Sequence, residues 1–475
     1  MPSAKKTKIV ATLGPATSTK SVLRDMILAG VNVFRINFSH ADYSDVSARI
    51  KMIRELNVEL GVYTSILADL QGPKLRVGVM EEGIEVSPGD QVTFATGAPF
   101  VGTATRAYMT YDSFPQDVKV GEKVLLDDGK LLFEVVSTNG KDEVVTKVVQ
   151  GGPLKSKKGV NLPNTKISLP ALTEKDIEDA IFAIGEKVDW IALSFVRFSQ
   201  DLKDLQELIA KHTDLKIPIV SKIEKPEAID NIDEIIEYTD ALMVARGDLG
   251  VEIPAEEVPL IQKQLVLKAK QARKPIIIAT QMMETMIDSL TPTRAEVNDV
   301  ANSVMDGADA VMLSGETSVG QYPVQVIEKM SSILRAVEHS ELIRVPLTPP
   351  VNLSRRYVTK SVCYHAAIMA NEMNTAAIST LTNSGYTAYQ ISAWRPSAHI
   401  LVFTSNKRIL TQLNLLWGVQ AFYYDSMVST DQTILDLNEM AKKAGYVSEG
   451  DTIINLASMP IKERGMVNTL RVSSI

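Results

Sequence analysis

A chain of 475 residues, 45% hydrophobic and 23% charged, has the profile of a globular protein and enough length for a large core with one or two appended domains. A net charge of −7 with no long basic run argues against a nucleic-acid partner, and no apolar stretch reaches the roughly eighteen residues of a membrane span. A single cysteine, Cys363, excludes an internal disulfide framework and a cysteine-rich zinc site, and reads as a buried structural thiol in a cytoplasmic protein.

The N-terminus, MPSAKKTKIV, passes from basic residues straight into a strand pattern, without the apolar core of a signal peptide. KIVATLG and VNVFRINFSH read as strands, with SVLRDMILAG between them as a helix ending at Gly30. VSARIKMIRELNVEL is a second helix, and YTSILADLQGP a third strand ending in a Gly-Pro break. Between about Gly72 and Pro170 the pattern changes to short runs separated by turn residues. Asp128-Gly129 and Asn139-Gly140 are both hairpin signals, and no helix is expected there.

From Leu172 the βα alternation resumes. Thr173 and Asp176 form a variant capping box, and VDWIALSF, IPIVSKIE, ALMVARGD, PIIIATQ and ADAVMLSGE read as strands, each followed by a helical stretch. With the three strands before the interruption this makes eight, the number of a closed barrel with its chemistry at the C-terminal strand ends. RVPLTPPVNLSRR is linker-like. Beyond it TAAISTLT, AHILVFTS, VQAFYYD and DTIINLA are strands of a separate doubly wound unit. The expected fold is a (β/α)8 TIM barrel with an inserted small β-barrel lid and a C-terminal doubly wound α/β domain. Its boundaries are 1–71 and 171–341 for the barrel, 72–170 for the lid and 342–475 for the C-terminal domain.

Polar residues gather at the predicted C-terminal strand ends. Lys222 and Glu224 stand two apart on a strand and so face the same way. Asp248 lies just past a strand at a helix start, where the amides of Arg246-Gly247-Asp248 can receive an anion. Glu224 and Asp248 are hard oxygen ligands suited to Mg²⁺ or Mn²⁺, and Lys222 beside them can neutralise charge on a transferring phosphoryl or an enolate. Thr280, Glu316, Asp69 and the alternating Arg35, Asn37 and Ser39 reach the same rim. A lone Lys-x-Glu is usually an ordinary ion pair, and a lone Arg-Gly-Asp a turn. Six strand ends carrying such groups together favour an enzyme.

FRINFSH, ADLQGPKLR, KKGVNLP, SKIEKPEAIDNIDEI, VARGDLGVE, ATQMMETM, PTRAEVNDVANSV and DAVMLSGETSVGQYP, in that order, resemble pyruvate kinase along nearly the whole chain. The resemblance implies phosphoryl transfer from phosphoenolpyruvate to ADP, giving pyruvate and ATP, by a barrel, lid and C-terminal domain assembled as a homotetramer. Carried over by motif, Lys222 bridges the moving phosphoryl and the enolate oxygen, and Glu224 and Asp248 hold Mg²⁺. The amides of Gly247 and Asp248 hold the substrate carboxylate with Thr280, which also relays a proton. Arg35 grips the phosphate, while Arg76 and Lys158, with Lys157 as a competitor, reach the nucleotide from the lid. KIEKPEAID alone would also suit a metal-dependent aldolase or lyase of phosphoenolpyruvate or pyruvate, and a non-catalytic sugar-phosphate sensor is a remoter alternative.

Two departures from the better-known pattern of that family stand out. Many members hold K⁺ at positions matching Asn37, Ser39, Asp69 and the carbonyl of Leu70, with Glu where this chain has Lys74 and Thr where it has Leu70. Lys74 substitutes a built-in ammonium for K⁺, so no K⁺ requirement is expected. In the C-terminal domain, Thr382, Asn383, Ser384, Gly385 and Thr387 resemble the effector loop of the family. Tyr386 stands where some fructose-bisphosphate-regulated members have arginine, and the tail NLASMPIKERGMVNTLRV lacks their tryptophan and glycine-rich stretch. A sugar monophosphate or nucleotide effector, or none, is therefore expected.

Overall fold

The computed structural model describes residues 5–338, 340, 348–351, 356–426, 428–459 and 466–475; the expected boundary at 341/342, most of the Pro-rich linker and part of the C-terminal tail segment lie outside them. Largely apolar runs form eight parallel strands, Lys8–Thr12, Val33–Asn37, Ser65–Asp69, Trp190–Leu193, Ile219–Ile223, Ala241–Ala245, Ile276–Ala279 and Ala310–Leu313, which close into a barrel. Closure is direct: Lys8 to Ala11 pair with Ala310 to Leu313, and Val10 to Thr12 pair with Val33 to Arg35. Helices cover the outside, and their apolar stripes bury Leu23, Ile53, Leu205 and Leu265 against the outward faces of the strands.

Alternation along the strands sorts the interior into layers. Val10, Val33, Leu67, Ala192, Val220 and Met312 fill the lower barrel. Two residues further along the same strands, on the same face, stand Thr12, Arg35, Asp69, Ser194, Lys222 and Ser314. The polar rim is thus the next layer of the packed core, turned over to chemistry.

The chain leaves the barrel after Asp69 and returns to it at the helix Glu174–Gly185, capped by Thr173 and Asp176 as expected. The intervening residues form a six-stranded sheet and a two-stranded ribbon. Both hairpins fall at the expected dipeptides: Asp127, Asp128 and Gly129 all have positive φ between the strands Lys123–Leu126 and Leu131–Thr138, and Gly140 follows with φ of 67°. Isolated bridges from Arg76 to Gly159 and from Val77 to Met109 join the two edges of the six-stranded sheet, rounding it toward a barrel. One expectation fails. A four-residue helix, Phe114–Asp117, sits in this region with Pro115 in its first turn, and it is too short to show a 3.6-residue period.

The C-terminal unit is a five-stranded sheet, one strand more than expected. The added strand, Thr469–Ser474, pairs antiparallel with Thr452–Ala457, and only Leu470 and Val472 mark it in the sequence. Leu415 enters the bottom of the barrel, where the Trp190 indole donates to the Gln412 carbonyl at 3.2 Å. A cleft of about 1560 Å³ between barrel and C-terminal unit opens at this end, lined by residues such as Gly30, Asn32 and Thr64 that precede the strands, away from the polar rim. Cys363 is buried as expected, which pushes its thiol up to about 12.

Candidate active site

The fifth strand aims Lys222 into the rim. Its ammonium donates to Ser194 Oγ at 2.7 Å and lies 2.9 Å from Glu224 Oε1 and 3.3 Å from Asp69 Oδ1. Burial alone would discharge such a lysine; the Asp69 and Glu224 carboxylates outweigh it and hold the ammonium above its ordinary pKa. Asp69 is 1% exposed and also receives the Arg35 guanidinium, Nε to Oδ2 at 2.6 Å, while Arg35 Nη1 donates to Thr12 Oγ1 at 3.0 Å. Burial acts to raise the Asp69 pKa, but Lys222 and Arg35 together hold it below the usual value, so it stays a carboxylate between two cations. Sequence does not indicate Ser194 or Thr12, because the register between neighbouring strands is what brings them to Lys222 and Arg35.

Glu224 is nearly buried, and its second oxygen accepts the Phe195 amide at 3.0 Å, where φ is +57°. Asp248 occupies the first turn of the helix Arg246–Glu252, exposed to solvent and with no hydrogen-bond partner among the described residues. Desolvation, then the nearby Glu224 charge, raise its pKa to about 6. Two mutually repelling carboxylates, one of them unpartnered, are what a divalent cation relieves. A pair of carboxylates completed by water and substrate oxygens suits Mg²⁺, and among the described residues no group of three or more His, Cys, Asp or Glu offers a cage.

Thr280 stands at the rim with φ of +69°, followed by Gln281 at +53°, conformations that cost a β-branched residue on the order of 1–3 kcal/mol. Arg246 holds this turn. Its Nη2 donates to the Thr280 carbonyl at 2.7 Å, and its Nη1 meets Asp299 Oδ1 at 2.8 Å. The Gly247 amide donates to Thr280 Oγ1 at 2.7 Å, so the two groups expected to share a substrate carboxylate are adjacent and mutually bonded. The role of the Arg246 side chain depends on the Thr280 turn, 34 residues away in the chain, which local sequence does not indicate. Glu316 turns inward to accept the Met283 and Ser314 amides, so it shapes the loops of the rim.

Among the positions matching a K⁺ site, Asn37 Oδ1 already accepts the Ser39 amide at 3.2 Å, and the Leu70 carbonyl accepts Ser194 Oγ at 2.7 Å. Asp69 is engaged by Arg35 and Lys222. Lys74 is exposed; partial burial, then Arg76, lower its pKa, and it lies within electrostatic reach of Asp248 and Lys222.

On the lid, the bridge between Arg76 and Gly159 sets Arg76 beside Lys158. Arg76 Nη1 donates to the Lys157 carbonyl at 2.8 Å, and Lys158 pairs with Asp127 at 2.8 Å. The C-terminal loop is assembled as a turn after the strand Ala377–Leu381: the Gly385 amide donates to Thr382 Oγ1 at 3.1 Å, and Asn383 and Ser384 are exposed. Thr387 departs from the grouping. It is buried, with its hydroxyl 2.9 Å from Thr380 Oγ1, because the first turn of the helix Tyr386–Ala393 points it into the sheet. The Arg356 guanidinium lies 4.5 Å from the Tyr386 ring centroid, a cation beside the loop that sequence order did not indicate.

Fixed cations, a carboxylate pair for a divalent ion and a cover on the strand-end face are the requirements of phosphoryl transfer, and they define a lidded barrel phosphotransferase. Residues 4–327 match the family described as pyruvate kinase, barrel domain, and residues 360–473 that described as pyruvate kinase, alpha/beta domain. A pyruvate kinase of Geobacillus stearothermophilus is 43% identical over 473 residues, covering 99% of this chain and 80% of that protein. One of Mycobacterium tuberculosis (strain CDC 1551 / Oshkosh) is 41% identical over 469 residues, covering 98% of each. A crystal structure of a pyruvate kinase from Cryptosporidium parvum superposes with a TM-score of 0.92 at 33% identity, covering 99% of this chain and 96% of that one. The chain belongs to the pyruvate kinase family, and its reaction is transfer of the phosphoryl group of phosphoenolpyruvate to ADP, the closing step of glycolysis. The aldolase or lyase reading is not favoured. The family is generally Mg²⁺-dependent.

Proposed function

We propose that the chain carries out this transfer with Lys222, Arg35 and Thr280 as its catalytic groups, and without K⁺. The observation that carries the reading is the Lys222 ammonium, held charged between Glu224 and Asp69 at 2.9 and 3.3 Å. Glu224 and Asp248 hold Mg²⁺ or Mn²⁺, which when bound neutralises charge on the substrate oxygens. Arg35 takes the phosphate, and the Gly247 and Asp248 amides with Thr280 receive the substrate carboxylate. As the phosphoryl leaves, Lys222 answers the charge left on the enolate oxygen, and Thr280 passes the proton that completes pyruvate. Residues 72–170 act as the lid over a barrel of 1–71 and 171–341, bringing Arg76 and Lys158 to ADP and excluding water. Residues 342–475 carry regulation, with a sugar monophosphate or nucleotide effector at Thr382 to Gly385 and Thr387 contributing through the turn it anchors. We place the enzyme in the cytoplasm as a homotetramer, an assembly that light scattering reads directly.

The prior engagement of Asn37 and Leu70, and the position of Lys74, support independence from K⁺. ADP-dependent pyruvate formation with Mg²⁺ should differ less than about twofold between K⁺ and a bulky organic cation. Lys74→Glu should make the rate depend on K⁺ by roughly tenfold or more, since it replaces a built-in cation with an anion. A wild-type rate that rises tenfold with K⁺ would overturn the reading.

A further inference from the structure

Lys225 follows the metal-binding Glu224 directly, yet it points elsewhere. Its ammonium lies 2.8 Å from Glu252 Oε1, and both side chains are 4% exposed or less. Glu252 ends the short helix that carries Asp248 in its first turn, one turn away. The same Glu252 oxygen accepts the Asn161 amide nitrogen at 2.9 Å, and Asn161 belongs to the lid, three residues beyond Lys158. Lys225 also lies 4.8 Å from the Phe195 ring centroid, the residue whose amide holds Glu224. A buried pair therefore connects the two metal-binding elements to each other and to the lid. Gly129 of the lid hairpin lies near Val251 alongside.

The geometry points to a latch: Lys225 and Glu252 are positioning residues that seat the lid on the metal-binding edge of the barrel through Asn161. Two lines carry it. An ion pair taken out of water is costly unless further hydrogen bonds complete it, and here one of the completing bonds comes from the lid. Glu252 Oε2 is buried without a partner, so among the described residues the Lys225 and Asn161 contacts, both at Oε1, are what compensate the buried carboxylate. At its connections the lid is held where the Gly72 amide donates to Asp176 Oδ1 at 3.0 Å and Arg197 donates to the carbonyls of Ile167 and Leu169. Those contacts fix hinges. The Asn161 contact fixes the closed position, and with it the approach of Arg76 and Lys158 to the nucleotide.

The inference rests on the nucleotide role proposed for the lid. Asn161→Leu should raise KM for ADP about tenfold, the scale of one hydrogen bond to a charged group, with KM for phosphoenolpyruvate changed less than about twofold. Hydrogen exchange of residues 155–165 should accelerate in the unliganded variant, a readout that needs no nucleotide. Asn161→Asp should be worse, because it opposes Glu252. Combined with Glu252→Gln it should recover, because the carboxylate introduced on the lid then serves Lys225 in place of the one removed. Unchanged exchange in Asn161→Leu, equal rises in both KM values, or no recovery in the double variant would each overturn the latch. Arg76→Ala separates the two readings: an unchanged KM for ADP there removes the nucleotide role, while lid exchange still judges the latch.

Discussion

Lys222 illustrates how a single side chain acquires its properties. Two carboxylates and a hydroxyl surround its ammonium, and one of those carboxylates is shared with Arg35. Removing the charge while keeping the bulk, as in Lys222→Met, should cut turnover by about 10²–10⁴ with circular dichroism unchanged. Near-normal turnover in the folded variant would transfer the role to another group. Lys222 and Glu224 were legible as a pair because strand parity puts residues two apart on one side. Ser194 was not, since a serine at one strand end signals nothing until the neighbouring strand brings it within 2.7 Å of that ammonium.

At the scale of elements, turns place the groups of the rim and of the C-terminal loop. Thr280 and Gln281 are held at positive φ by Arg246, so the strand-to-loop transition is bent toward the rim, and strain of this kind leaves no mark in composition or periodicity. The C-terminal loop is simpler to read. Gly385 has φ of +79°, a conformation glycine adopts without steric cost, and the helix Tyr386–Ala393 begins directly after it. Arg356 beside Tyr386 is a cation at the aromatic edge of that loop, suited to one phosphate. At subsaturating phosphoenolpyruvate, a sugar monophosphate or nucleotide monophosphate should activate more strongly than fructose bisphosphate. Strong activation by the bisphosphate would sink that assignment.

Across the whole molecule, buried lysines line the junction of the barrel with the C-terminal unit. Lys8 donates to the Val419 carbonyl at 2.8 Å, and Lys5 lies against Asn32, with both lysines 9% exposed or less. Burial, reinforced for Lys5 by the adjacent Lys8 charge, pushes Lys5 down to about 7 and Lys8 down to about 8. Their unfolded value is 10.5, so between about pH 8 and 10 the unfolded chain binds more of these protons and stability rises with pH. Lys5→Met should raise the neutral-pH Tm and flatten its rise from pH 7 to 9. A variant with the wild-type slope would show that these groups do not set it.

Local sequence alone determined the eight alternating βα units, the two Asp-Gly and Asn-Gly hairpins, the Thr173 cap and the same-side placement of Lys222 and Glu224. Each depends on backbone periodicity or turn chemistry that neighbouring residues supply. Tertiary structure decided the rest. It shared Asp69 between Arg35 and Lys222, clamped Thr280 with Arg246, turned Thr387 inward, added the strand Thr469–Ser474 and seated Asn161 on Glu252. Most of these are pairings between segments tens or hundreds of residues apart, set by barrel closure and by the satisfaction of buried polar groups, and such partners are specified only once the chain has folded.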